Sequence, residues 1–166
     1  FCLSEITTRK GNSFFFIDPF GYTQFKMNDI RKIMILPKTE ILLTFMLDFI
    51  RRFLSSRKES LASFDNNLEA NDYFNLANID SIDSIWEQAY LREETLRLFR
   101  NKTNVKYLYT FGMLPNKTLV KYYLIHFANK ITAQKVIKDT LWVHNSIDHS
   151  CMFEYGIYGF GFRTPD

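Results

Sequence analysis

The chain has 166 residues, 46% hydrophobic and 17% aromatic, which is enough apolar material for one domain with a real core. Its 21 Lys and Arg against 18 Asp and Glu leave a net charge of +3, which permits a nucleic-acid partner but is too mild to argue for one. Two cysteines, Cys2 and Cys151, exclude a disulfide framework and a cysteine metal site, and no apolar run reaches the roughly 18 residues of a membrane span, so a cytoplasmic, non-membrane protein is the expectation.

Residues 1–12 are polar and read as a loop entering the first strand. Phe14-Phe15-Phe16-Ile17 is a continuous apolar run, which predicts a strand over 13–18 buried on both faces of a parallel sheet. A central strand so near the start needs neighbours, so the chain is expected to be the C-terminal part of a longer protein. Pro19 cannot donate to a ladder and ends the strand at Asp18. A carboxylate at the carboxyl end of a parallel strand faces the crevice where open α/β sheets bind ligands. Gly21 lets the backbone turn sharply, and Phe20 and Tyr22 offer flat faces for a planar base. Asp-Pro is equally ordinary turn chemistry, with Asp bonding its own downstream backbone, and both readings stand.

A helix follows over 28–36, capped by Asn28, with Ile30, Ile33 and Met34 at helical spacing and Pro37 as its stop. Thr39 to Phe45 is a second apolar strand, completing a βαβ unit. Residues 46–56 read as a helix with a Leu47, Ile50, Leu54 stripe and Arg51-Arg52 toward the other side. Over 57–80 Ser, Asn and Asp dominate, and the stretch reads as a polar surface insertion. The longest helix is expected over 81–101, with Ile82, Ile85, Trp86, Ala89, Leu96 and Phe99 on one face and Arg92, Glu93, Glu94, Arg97 and Arg100 as a solvated, paired remainder. Residues 105–113 and 119–127, joined by a short Pro-Asn turn, form an antiparallel hairpin. A last helix runs over 132–142, capped by Thr132, with Ala133, Val136, Ile137, Thr140 and Leu141 inward. The tail alternates aromatics with Gly156, Gly159 and Gly161 and suits an edge strand or a loop laid over the sheet.

His126, His144 and His149 are too scattered for a metal site, and no Ser or Cys has an evident base, which disfavours a nucleophilic hydrolase. Asp48 and Arg51 follow the second strand and are further candidates for substrate contact, although a solvated helix face explains Arg51 as well.

Phe16-Ile17-Asp18-Pro19-Phe20-Gly21-Tyr22, Leu36-Pro37-Lys38-Thr39-Glu40 and the run from Phe45 to Phe53 resemble, in that order, the three-Cys-motif partner proteins. Arg92-Glu93-Glu94, Lys106-Tyr107 and Lys138 to Trp142 continue the likeness, which covers most of residues 13–142. The three cysteines of the family name belong to a partner protein. The resemblance implies an α/β class: the C-terminal half of a Rossmann-like, class I S-adenosylmethionine-dependent methyltransferase sheet, with parallel strands ending in an antiparallel hairpin. Asp18-Pro19-Phe20-Gly21 is similar to the motif with which amino-methyltransferases hold an exocyclic amine. The resemblance therefore implies a catalytic set of Asp18, Pro19, Phe20 and Gly21; Tyr22 and Asp48, which both follow strand carboxyl ends, and Arg51 are the candidates for substrate contact. It also implies a nucleobase acceptor and a three-Cys-motif partner. The glycine-rich S-adenosylmethionine segment of such proteins has no counterpart in these residues, so the main cofactor site is expected outside this stretch. The alternative is a non-catalytic interaction module that works with a partner protein.

Overall fold

The structure, a computed structural model, describes residues 11–19, 24–46, 58–74, 84–113 and 120–147. Its elements are β1 (Ser13–Ile17), α1 (Met27–Met34), β2 (Thr39–Met46), α2 (Lys58–Leu68), α3 (Ser84–Thr103), β3 (Tyr107–Met113), β4 (Tyr122–Ala128) and α4 (Ile131–Ile147). The four strands form one mixed sheet in the order β1-β2-β4-β3. β1 runs parallel to β2, with Phe15 beside Ile41. β4 enters antiparallel between β2 and β3, with His126 beside Leu42 on one side and Tyr109 on the other. The hairpin expected from the short turn is therefore present, but its second strand pairs inward and its first lies at the edge.

Side chains alternate across the sheet, so each strand serves two faces. One face carries Phe15 and Ile17 of β1, Ile41, Leu43 and Phe45 of β2, and Tyr123, Ile125 and Phe127 of β4. Helices α1, α2 and α3 cover it with Met27, Ile30, Ile33, Met34, Phe64, Leu68, Leu91, Leu98 and Phe99. Phe99 stands edge-on to Phe45 and to Phe127, at centroid separations of 5.5 and 5.2 Å. The opposite face carries Phe14, Phe16, Glu40, Leu42, Leu124, His126, Tyr109 and Phe111. Only α4 packs there among the described helices, over β3 and β4: Gln134 Nε2 donates to the Leu108 carbonyl at 3.2 Å, and the Lys138 ammonium lies 5.2 Å from the Tyr109 ring centre.

Several expectations change on this frame. β1 is an outer strand among the described residues, not one buried on both faces: Phe14 and Phe16 are 56% and 60% exposed, because α4 spans only the far pair of strands. The stretch 57–80 is not simply a surface insertion. It contains α2, whose Phe64 and Leu68, four residues apart, enter the core while Asn66 stays outside. Ala70 and Phe74 follow them inward. The polar residues that suggested a loop are the outer side of an amphipathic helix and its exit. Helix α1 starts one residue early, at Met27, and its first turn is closed by the Lys26 amide donating to the Asp29 carboxylate at 3.1 Å rather than by Asn28. On α3 the buried line is Leu91, Thr95, Leu98 and Phe99, while Ala89 is exposed. The two threonines adapt to burial by returning their hydroxyls to the helix, Thr95 to the Leu91 carbonyl at 2.6 Å and Thr103 to the Phe99 carbonyl at 2.5 Å. α4 begins at Ile131 and extends to Ile147, and Val136 and Thr140 point outward instead of in. The expected helix at 46–56 lies outside the described residues apart from Met46, which ends β2.

Candidate functional site

β1 and β2 are parallel, so their carboxyl ends lie at one end of the sheet. There Met46 sits beside Tyr122, and Tyr122 beside Met113. Asp18 directly follows the last residue of β1 and is exposed, whereas Pro19 is buried. The proline thus ends the strand as its missing N–H requires, and the carboxylate stands in solvent at the carboxyl end of the parallel pair. Phe20, Gly21, Tyr22, Asp48 and Arg51 lie outside the described residues. Of the expected set, the described structure therefore holds Asp18 and Pro19.

A second polar group lies in the opposite face. His126 is 1% exposed, and its Nε2 is 3.0 Å from a Glu40 carboxylate oxygen across the β2–β4 boundary. A carboxylate only accepts, so the imidazole donates from Nε2 and Nδ1 carries the lone pair. Nδ1 is buried and has no hydrogen-bond partner among the described residues. Burial pushes the His126 pKa down, and the hydrogen bond and charge of Glu40 oppose that shift without cancelling it. The ring is therefore neutral near pH 7. Tyr109, beside His126 in the sheet, has its phenol pKa raised by burial and then by Asp139, so it too is neutral. A carboxylate-oriented imidazole with one bare nitrogen has the logic of a general base, but water does not reach this nitrogen, and the pair ties β2 to β4. Sequence reading set His126 aside as scattered. Its partner is 86 residues away, and only the strand order brings the two side chains to one face.

The charged groups of α3 are paired as expected, but the face is solvated only in part: Glu93, Arg97 and Arg100 are exposed, whereas the Arg92 and Glu94 side chains are 16% and 15% exposed. Arg92 pairs with Glu93, and Arg97 pairs with Glu94, with Arg97 Nε 3.0 Å from the carboxylate. Arg97 also stacks over Tyr73 at 4.4 Å. Arg31 of α1 makes a two-pronged bond to Glu69 just past α2, one arm at 2.9 Å, and donates to the Lys102 carbonyl at 3.3 Å, fastening three helices together. Among the described residues no group of three or more His, Cys, Asp or Glu is placed to hold a metal ion, and no helix is long and apolar enough to cross a membrane.

Among the described residues these features define a mixed α/β fold with a four-stranded mixed sheet. No family model matches the chain, and comparison with curated proteins and with solved structures likewise gives no match.

Proposed function

We propose that this chain is the substrate-holding part of an S-adenosylmethionine-dependent methyltransferase that acts on an amino nitrogen of a nucleobase. The observation that carries the reading is Asp18-Pro19, exposed carboxylate then buried ring, at the carboxyl end of a parallel strand pair. The reversed β3–β4 hairpin beside that pair agrees with a Rossmann-like methyltransferase sheet ending in an antiparallel hairpin.

In this reading the Asp18 carboxylate accepts a hydrogen bond from the exocyclic amine and turns the nitrogen lone pair toward the reacting carbon. Pro19 and Gly21 shape the backbone, Phe20 or Tyr22 stacks on the base, and Asp48 and Arg51 make outlying substrate contacts. Catalysis by such a site is chiefly positioning, and a small motif suffices for it. The described residues do not fit the cofactor: none of them forms a glycine-rich strand-to-helix turn, and no step is assigned to them through it. The test is transfer of labelled methyl from S-adenosylmethionine to oligonucleotides by the gene product expressed from its native start. Asp18→Ala is expected to lower that transfer by about 100-fold with little change in stability, because a small loss of alignment is costly in such sites. Equal activity in wild type and Asp18→Ala would reject the assigned role.

A second reading, an interaction module working beside a three-Cys-motif or other protein without chemistry of its own, is favoured by the exposed Phe14 and Phe16. Absence of S-adenosylmethionine binding in calorimetric titration of the gene product would favour it.

A further inference from the structure

The net charge of +3 is small, but it is unevenly placed. β1, β2 and β3 run one way and β4 the other, so three strand starts and the end of β4 share the end of the sheet opposite Asp18. Lys38 and Lys106 stand one residue before β2 and β3, and Lys130 stands two residues after β4. Those strands are neighbours, about 4.8 Å apart, so the three lysines are rooted within roughly 10 Å of one another. Lys32 joins them from the last turn of α1. The Asn129 side chain donates to the Met34 carbonyl at 3.1 Å and accepts from the Lys106 amide at 3.3 Å, which draws the end of α1, the start of β3 and the end of β4 together.

All four lysines are exposed, as are Asn12, Pro37 and Asn129 at the same end. None of the four makes an ion pair among the described residues. Glu40 and Glu69, which the sheet and the helix tie place at this end, are bonded instead to His126 and Arg31. The ten residues before Gly11 bring Arg9 and Lys10 against Glu5, so they do not neutralise the cluster. At the other end the described charges are mixed, Asp18 and Asp29 with Lys26 and Lys121.

Charges set this close, within about the ~8 Å over which physiological salt screens, sum to one local positive field. A nucleic-acid backbone carries the complementary charge, one phosphate per roughly 1.7 Å of duplex axis. The four are lysines, compact point charges rather than the forked guanidinium that reads guanine edges, so the contact is to phosphate and is indifferent to sequence. Ile35 and Ile131, 81% and 57% exposed, lie beside them, but single exposed aliphatics are ordinary on any surface, and the lysines decide the class of partner. We propose that this end of the sheet binds the phosphate backbone of double-stranded nucleic acid through Lys32, Lys38, Lys106 and Lys130. The cluster is at the end of the sheet away from Asp18, and the contact stands whether or not methyl transfer occurs.

The test is fluorescence anisotropy of the 166-residue chain with two labelled DNA duplexes of about 20 base pairs and unrelated sequence, over about 50 to 200 mM salt. With four phosphate contacts, the logarithm of the association constant should fall against that of salt with a slope of about −3 to −4, alike for both duplexes. Lys106→Gln and Lys130→Gln should each raise the dissociation constant roughly fivefold at about 0.1 M salt and flatten the slope by about 0.9, whereas Lys121→Gln at the other end should change neither. All three positions are exposed, so far-UV circular dichroism and melting temperature should be unchanged. If one of the first two variants fails to fold, the other decides. No binding at about 50 mM salt would overturn the proposal, as would a slope that the folded lysine variants leave untouched. Lysine-dependent binding to phosphatidylserine vesicles without binding to either duplex would overturn it too.

Discussion

His126 is held neutral at the centre of a sheet, and that sets the sign of its effect on stability. Its folded pKa lies below the unfolded value of about 6.5, so the unfolded chain takes up the proton more readily. The contribution is complete above that unfolded value and is lost as pH falls through it toward the folded value. Urea midpoints should therefore drop as pH falls below about 6.5, and His126→Leu should flatten that part of the profile. A profile unchanged by the substitution would assign the slope to another group. Backbone strain gives a second prediction at this scale. Lys38 takes φ 54° in the turn between α1 and β2, a left-handed conformation that suits glycine, so Lys38→Gly is expected to stabilise the fold by about 0.5–1 kcal/mol in chemical denaturation.

At the scale of elements, Phe99 joins α3 to β2 and β4 through its two edge-on aromatic contacts, and it is fully buried. Phe99→Ala should cost about 3–5 kcal/mol, read from the urea midpoint. The tie from Arg31 to Glu69 is different in kind. The two side chains are 31% and 39% exposed, and water screens them, so Arg31→Ala is expected to cost only about 1 kcal/mol despite the good geometry. Opposing shifts accompany the pair: the Glu69 carboxylate raises the Arg31 pKa, and Arg31 lowers that of Glu69.

Across the whole molecule, order should follow the strand sequence in the sheet. β2 and β4 have strands on both sides, whereas β1 and β3 have one neighbour each among the described residues. Amide exchange is expected to be slowest in Ile41 to Phe45 and Tyr123 to Phe127, and the amides of β1 that do not bond to β2 should exchange fastest within the sheet. Uniform protection of Ser13–Ile17 would mean that another strand occupies the outer edge.

Local chemistry made much of this legible from the residues. Pro19 and Pro37 mark where a strand and a helix must stop, a short turn forces residues 107–128 into an antiparallel pair, and apolar runs mark β1 and β2 as strands. The Asp18-Pro19 step was visible for the same reason, since it depends on one residue's missing N–H. Tertiary structure decided which strand lies beside which, and with it everything that depends on two distant segments. Alternation told that Phe14 and Phe16 share a face, but only the tertiary structure decided that both are exposed. Polar composition hid α2, because a helix is specified by one buried stripe, Phe64 and Leu68, and the rest of it is free to look like a loop. The meeting of Glu40 with His126 has no local signature, because side-chain proximity across a sheet is set by strand order and register, and those are settled by burial of the whole core at once.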